Sequence, residues 1–252
     1  MSAALVGATT SRKSRPKVHI SASAYPTIAA IVLLAALLIG GQIVYGKIFA
    51  WNTMSSLLDN NAYLVILAVG MTFTILTGGI DLSVGAVLAF SSVAGVLMLQ
   101  AGVPVVVVMP TIVLMGTAFG LLSGILVRYF NFQPFIATLS TMFLARGLAS
   151  ILSIEPVRVD PDSSMMALSA RIVLIDGPKR NDFYISLNIL IALAVIVAGY
   201  FLLHRTRFGR TVYALGGNAQ SAELMGLPAG RSTDWVYDVT GTCAGLAGLD
   251  YT

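Results

Sequence analysis

Charge is scarce in this 252-residue chain: 10% of its residues are Asp, Glu, Lys or Arg, while 57% are hydrophobic. A soluble domain carries roughly a quarter charged residues, so a water-soluble fold able to hide this much apolar surface is excluded. Cysteine is nearly absent. Cys243 stands alone inside an apolar run, which excludes a disulfide framework and a cysteine-based metal site. Histidine is confined to His19 and His204; neither has companion ligands, and no metal is assigned to them. A complete phosphate loop is also missing. Gly41–Lys47 (GQIVYGK) follows the pattern G-x-x-x-x-G-K-[ST] until Ile48 replaces the Ser or Thr that would hold magnesium. No other stretch of the chain offers a Walker lysine. The apolar runs hold no His/Asp/Glu cluster and no serine set beside a histidine, which argues against a membrane-embedded enzyme.

What the chain has is long apolar runs, with a mean hydropathy of +0.87. Crossing hydrocarbon takes about 20 apolar residues in a helix, because every backbone N–H and C=O must be satisfied internally there. Six runs meet that demand: Pro26–Tyr45, Leu57–Thr77, Leu82–Leu99, Val103–Val127, Pro134–Ile154 and Ile185–Leu203. A seventh begins near Trp235 and is cut short at Thr252. The expected fold is all-α, a polytopic transmembrane bundle of about six complete spans and a truncated seventh. The first run follows a basic tail like the start of a signal peptide, but it is too long and lacks a cleavage site, so it reads as a retained helix.

The net charge of +4 does not point to nucleic acid, because the basic residues lie in short tracts between apolar runs. Short cytoplasmic loops retain Lys and Arg. With the N-terminus inside, Arg12, Lys13, Arg15, Lys17, Arg128, Arg205, Arg207, Arg210 and Arg231 fall on the inner side, and Lys47, Arg158, Arg171, Lys179 and Arg180 on the outer, a bias of nine to five. This divides the chain into a cytoplasmic tail (1–25) and a membrane domain (26–252), with a periplasmic loop at 155–184 and a cytoplasmic loop at 204–234.

The inner loop reads HRTRFGRTVYALGGNAQSAELMGLPAGR from His204 to Arg231. Asn218 suits an N-cap, Ala219–Met225 are good helix formers, Gly226 suits the left-handed position after a helix, and Pro228 forbids continuation. Gly216 and Gly217 just before it allow a sharp turn. A short helix with its own start and stop signals, carrying exposed Leu224 and Met225 beside Glu223, is more than a solvated connection needs. It reads as a docking element for a cytoplasmic partner.

Three segments carry a family resemblance: this loop, GGIDLSVGAV (Gly78–Val87) and QPFIATLSTMFLARG (Gln133–Gly147). Together they make the chain after Pro26 resemble the permease subunits of bacterial ribose-, xylose- and galactofuranose-type ATP-binding cassette sugar importers, with the galactofuranose type the nearest likeness. The resemblance implies a coupling role for Gly216, Gly217, Asn218, Ala219, Glu223, Leu224, Met225 and Gly226, docked in a cleft of a cytoplasmic ATPase subunit. It implies ATP and magnesium on that partner and no cofactor here. It further implies a second permease, identical or homologous, a periplasmic sugar-binding protein, and a place in the bacterial inner membrane. Family members continue through several more spans where this chain reads LDYT, so a C-terminally truncated permease is expected, with its activity in question.

Candidate pathway residues are the intramembrane polar groups. Asp81 follows Gly78 and Gly79, either as part of a broken-helix polar site or as a cap for the helix starting at Leu82. Arg146 lies near the middle of its run, where a charge is costly unless paired or hydrated. A structural pair with Asp81 or with backbone carbonyls is the bland reading; coupling charges of an ion-driven transporter are the rival one. Asn60, Asn61, Thr72, Gln133 and Thr138 could line a path, with Phe135 offering a ring face to a sugar, although each is also a common packing residue. Gly116, Gly120 and Gly124 recur along one helix face and favour close helix contact, within the subunit or between two.

Overall fold

In the computed structural model, residues 25–155, 171–175 and 182–251 are described, and the basic tail and most of the polar loop expected at 155–184 lie outside them. The first unit holds α1 (Tyr25–Tyr45), a 21-residue apolar helix. The phosphate-loop-like stretch is the end of this helix and the turn after it, where Gly46 takes φ +68°, with no strand ahead of it.

The second unit, from Ala50 onward, contains α2 (Trp51–Asn60), α3 (Ala62–Leu76), α4 (Val84–Gln100), α5 (Val105–Arg128), α6 (Pro134–Leu152), β1 (Arg171–Ile175), β2 (Phe183–Ser186), α7 (Leu187–Arg205), α8 (Arg207–Leu224) and α9 (Ala229–Tyr251). Among the described residues, four helices are long and apolar enough to cross a bilayer, and α2 with α3 makes a fifth span if the pair is taken as one. The chain is thus an all-α, multi-pass membrane protein. Three runs differ from expectation. The run at Leu57–Thr77 is broken, with α2 and α3 meeting at 46°. Asn61 sits at the break and its side-chain amide donates to the Leu57 carbonyl at 2.7 Å, a local bond that competes with the helical ladder. The run at Leu82–Leu99 becomes the shorter 17-residue α4. The seventh run is a 23-residue helix that starts ahead of Trp235, at Ala229.

α9 carries Arg231, Asp234 and Asp238, yet it is the element around which α3, α4 and α5 pack. Its central place shields it from lipid, so it need not be apolar all round. The α5–α9 seam explains the glycines of α5. A Cβ at Gly116 would lie 2.4 Å from the Gly241 carbonyl oxygen, and one at Gly120 would lie 2.3 Å from that of Tyr237. Gly241 and Gly245 on α9 are equally tight, so small residues face small residues and the backbones touch. This contact lies within the chain. Hydroxyls tie the seams further. Thr240 reaches Thr74 Oγ1 at 2.8 Å and the Gly70 carbonyl at 3.0 Å, Thr117 meets Thr242 at 2.8 Å, and Ser123 donates to Thr141 at 2.9 Å. Such bonds contribute about 0.6–2 kcal/mol each inside a membrane bundle.

The polar segment between α6 and α7 holds two strands the sequence did not suggest. β1 and β2 run antiparallel, pairing Ile172 with Ile185 and Val173 with Tyr184. The sheet is fastened to α2: the Tyr184 amide donates to Ser55 Oγ at 3.0 Å, Ser186 hydrogen-bonds Asp59, and Trp51 meets Phe183 edge-on at 5.7 Å.

Candidate functional site

The end of the bundle opposite this sheet gathers the loop between α3 and α4, the start of α6, and α8. Three contacts hold it together. Arg128 at the end of α5 forms an ion pair with Asp234 of α9. Thr138 of α6 donates towards the Ile80 carbonyl at 3.2 Å, sharing its hydrogen with the Pro134 carbonyl of its own helix at 2.9 Å. Gly216 of α8 lies against the last turn of α3, so close that a Cβ there would fall 1.9 Å from the Leu76 carbonyl oxygen.

α8 begins at Thr206, whose hydroxyl accepts the Gly209 amide at 3.2 Å. It runs beneath the bundle, burying Val212 and Leu215 and stacking Phe208 on Phe73 at 6.0 Å. The sharp turn expected at Gly216 and Gly217 is not there: the helix continues through both, and the break comes at Asn218, which is extended (φ −163°, ψ 108°). Gly216 serves close approach rather than turning. Asn218 Oδ1 accepts the Ser221 amide at 2.8 Å, a side-chain N-cap. The short helix that follows ends at Leu224. Gly226 takes φ +77°, its amide donating to the Glu223 carbonyl at 2.9 Å, while the Leu227 amide donates to the Ala222 carbonyl at 3.1 Å. That pair of bonds is the Schellman ending. Ala222 packs inward with Leu215 and Ala229. Ala219, Glu223, Leu224 and Met225 face outward, Leu224 and Met225 being 84% and 70% exposed. Gly217 also lies on the surface, where a Cβ would meet nothing within 4 Å.

The pathway candidates do not form one lining. Asp81 and Thr138 come together around Ile80, with exposed Gln133 and Phe135 one turn away at the start of α6. Asp81 is buried, and its Oδ1 accepts both the amide and the hydroxyl of Ser83, at 2.8 and 2.6 Å, which orders the chain as it enters α4 at Val84 rather than at Leu82. Burial raises its carboxyl above the ordinary value, against the lowering pull of the two Ser83 hydrogen bonds. Asn60 and Asn61 stand at the other end of α3, at the α2–α3 break, and Thr72 bonds back to the Ala68 carbonyl of its own helix at 2.7 Å. Arg146 is exposed and does not pair with Asp81. It lies on α6 about 12 Å along the helix from Thr138, at ~1.5 Å per residue, beyond the reach of that carboxylate.

Sequence reasoning passed over Tyr237. It is fully buried, and its hydroxyl lies where a Cβ on Gly79 would come within 2.9 Å, so Gly79 is small for the sake of this contact. Only the tertiary fold brings the two together. Among the described residues, no group of three His, Cys, Asp or Glu side chains could hold a metal ion.

The family described as "branched-chain amino acid transport system / permease component" matches residues 53–252. The fructose import permease FruG of Bifidobacterium longum is 50% identical over 90% of this chain and 67% of its own length. The inner membrane ABC transporter permease YjfF of Escherichia coli is 41% identical over 80% of this chain and 60% of its own. The ribose import permease RbsC of Haemophilus influenzae is 34% identical over 89% and 67%. The chain spans 60–67% of the length of these relatives. The likeness to a galactofuranose permease is real but not the nearest: the Escherichia coli galactofuranose transporter permease YtfT reaches 32%, well below the fructose permease. No solved structure matches.

Proposed function

The chain belongs to the permease family described as the permease component of branched-chain amino acid transport systems, and from that premise we propose that it is the membrane-spanning subunit of an ATP-driven importer of a monosaccharide. The names of its relatives favour a sugar over an amino acid, and the 50% identical one makes fructose the first sugar to test. A cytoplasmic ATPase subunit supplies hydrolysis, with ATP and magnesium bound there. A second permease, identical or homologous, completes the pathway, and a periplasmic binding protein delivers the sugar. In this reading the N-terminal tail (1–25) and residues 204–234 face the cytoplasm, residues 155–184 face the periplasm, and the membrane is the bacterial inner membrane.

One observation carries the proposal: the helix between Asn218 and Gly226, closed at both ends and showing Leu224 and Met225 to solvent. A rigid, apolar-tipped helix beyond the spans is suited to receiving a push from a docked protein. Its N-terminal neighbour Gly216 touches the Leu76 carbonyl, and the loop that follows runs through Gly79 at Tyr237 and Ile80 at Thr138. Displacement of the helix is thereby passed by backbone contact to the loop that carries Asp81.

The test is co-purification of the tagged chain with its candidate ATPase in mild detergent, against a Glu223→Arg, Leu224→Asp variant. Retention by the unmodified chain and a loss of at least about tenfold in the variant, equivalent to ~1.4 kcal/mol, is the expected result. Equal retention by both would remove the basis of the reading.

A further inference from the structure

A second feature at this end of the bundle plays no part in that reading. Between the start of α8 and the start of α9 lies a cavity of about 680 Å³, lined by Arg207, Arg210 and Arg231 together with Phe208, Pro228 and Trp235. Among the described residues, none of the three arginines has an ion-pair partner. The nearest acid along α9, Asp234, is engaged by Arg128.

Helix stability does not account for these charges. Arg207 opens α8, Arg210 lies in its first turn, and Arg231 lies in the first turn of α9. The start of a helix carries the positive end of its dipole, so a cation there is disfavoured. Mutual repulsion around one cavity adds to the cost. An anion seated among them would offset both.

The surroundings select the kind of anion. α7 is one of the helices long and apolar enough to span a bilayer; it ends at Arg205, and α8 starts two residues later at the cavity. The cavity therefore sits at the level where hydrocarbon gives way to headgroups. Trp235, 60% exposed on its rim, is the side chain that favours that boundary. A guanidinium is suited to a phosphate by its planar fork of donors, and Phe208 and Pro228 offer apolar wall to the glycerol and upper acyl carbons.

We propose that this cavity is a binding site for the phosphate headgroup of an anionic phospholipid, held by Arg207, Arg210 and Arg231. The lipid stands against the junction through which α8 is joined to α7 and α9, and so braces the base of the short helix from the membrane side. The site does not depend on which sugar is carried or on whether the ATPase docks.

Trp235 supplies the probe. In a Trp51→Phe background it is the sole tryptophan, and the chain is reconstituted in nanodiscs containing brominated phosphatidylglycerol or brominated phosphatidylcholine at equal mole fraction. The expected result is preferential quenching by the anionic lipid, with a relative association constant of at least about fivefold, the factor expected of one basic residue near an anionic headgroup. That preference falls in Arg210→Gln and disappears in the triple Arg207→Gln, Arg210→Gln, Arg231→Gln variant, while Arg205→Gln, outside the cavity, keeps it. Equal quenching by the two lipids in the unmodified chain overturns the proposal, as does a preference that survives the triple change. Two further outcomes also overturn it. Stabilisation by millimolar inorganic phosphate with no lipid preference would assign the site to a free anion. Loss of ATPase co-purification in the triple variant with lipid preference intact would assign the arginines to a protein partner.

Discussion

Glycine does two different jobs in this molecule, and the α5–α9 seam and the α8 tip show them side by side. In the seam, Gly116, Gly120, Gly241 and Gly245 are small because another backbone occupies the space a side chain would need. At the tip, Gly217 has open space around it, and Gly226 is a glycine because its φ of +77° is costly for other residues. Gly216 lies in the same helix as the tip but behaves like the seam glycines, pressed against the Leu76 carbonyl at the end of α3. The lesson is that composition alone does not separate a stabilising glycine from a functional one. Contact decides.

The largest effect should come from the seam. Gly120→Val would drive carbon into the Tyr237 carbonyl, where no flexible side chain can yield. Overpacking costs typically 1–3 kcal/mol and more against backbone, so a loss of monodisperse protein in size-exclusion chromatography and a lowered unfolding temperature in detergent are expected. Next comes the pair Gly216→Ala and Gly217→Ala. Both add the same methyl to the same helix, but only the first collides. On the proposed function, Gly216→Ala should cut sugar uptake by about tenfold or more in proteoliposomes that also hold the ATPase and the second permease, the size of effect produced by ~1.4 kcal/mol, while Gly217→Ala stays near the unmodified rate. Similar behaviour of the two would abolish the distinction drawn between them. The smallest change is Asn218→Ala, which removes the acceptor of the Ser221 amide. Loss of an N-cap costs about 1 kcal/mol of local helix stability, visible as faster amide exchange across residues 219–224 with global unfolding little altered.

These contrasts mark what could be read from the chain. The short helix was legible, start and stop, because a cap is a bond between neighbours in sequence: Asn218 to Ser221, Gly226 to Glu223. The first half of α8 was not, since its reason to be helical is the burial of Val212 and Leu215 under the bundle. The stripe on α5 showed that something would approach closely, without showing that α9 was its partner. Pairing Arg146 with Asp81 looked reasonable while depth in the membrane was known only from hydropathy. The fold puts them on different levels of α6 and its neighbours.

Apolar length, the placement of Lys and Arg, and local capping chemistry depend on residues near one another in the chain, and from these the sequence alone determined a multi-pass helical membrane protein with a closed helix outside its spans. Which helix occupies the centre, which glycines touch backbone, the break at Asn61 within one span, and the gathering of Arg207, Arg210 and Arg231 around one cavity were decided by the tertiary structure. Each depends on the relative placement of segments far apart in sequence, and in a bundle of uniformly apolar helices that placement is set by steric fit and a few interhelical hydrogen bonds, to which hydropathy is blind.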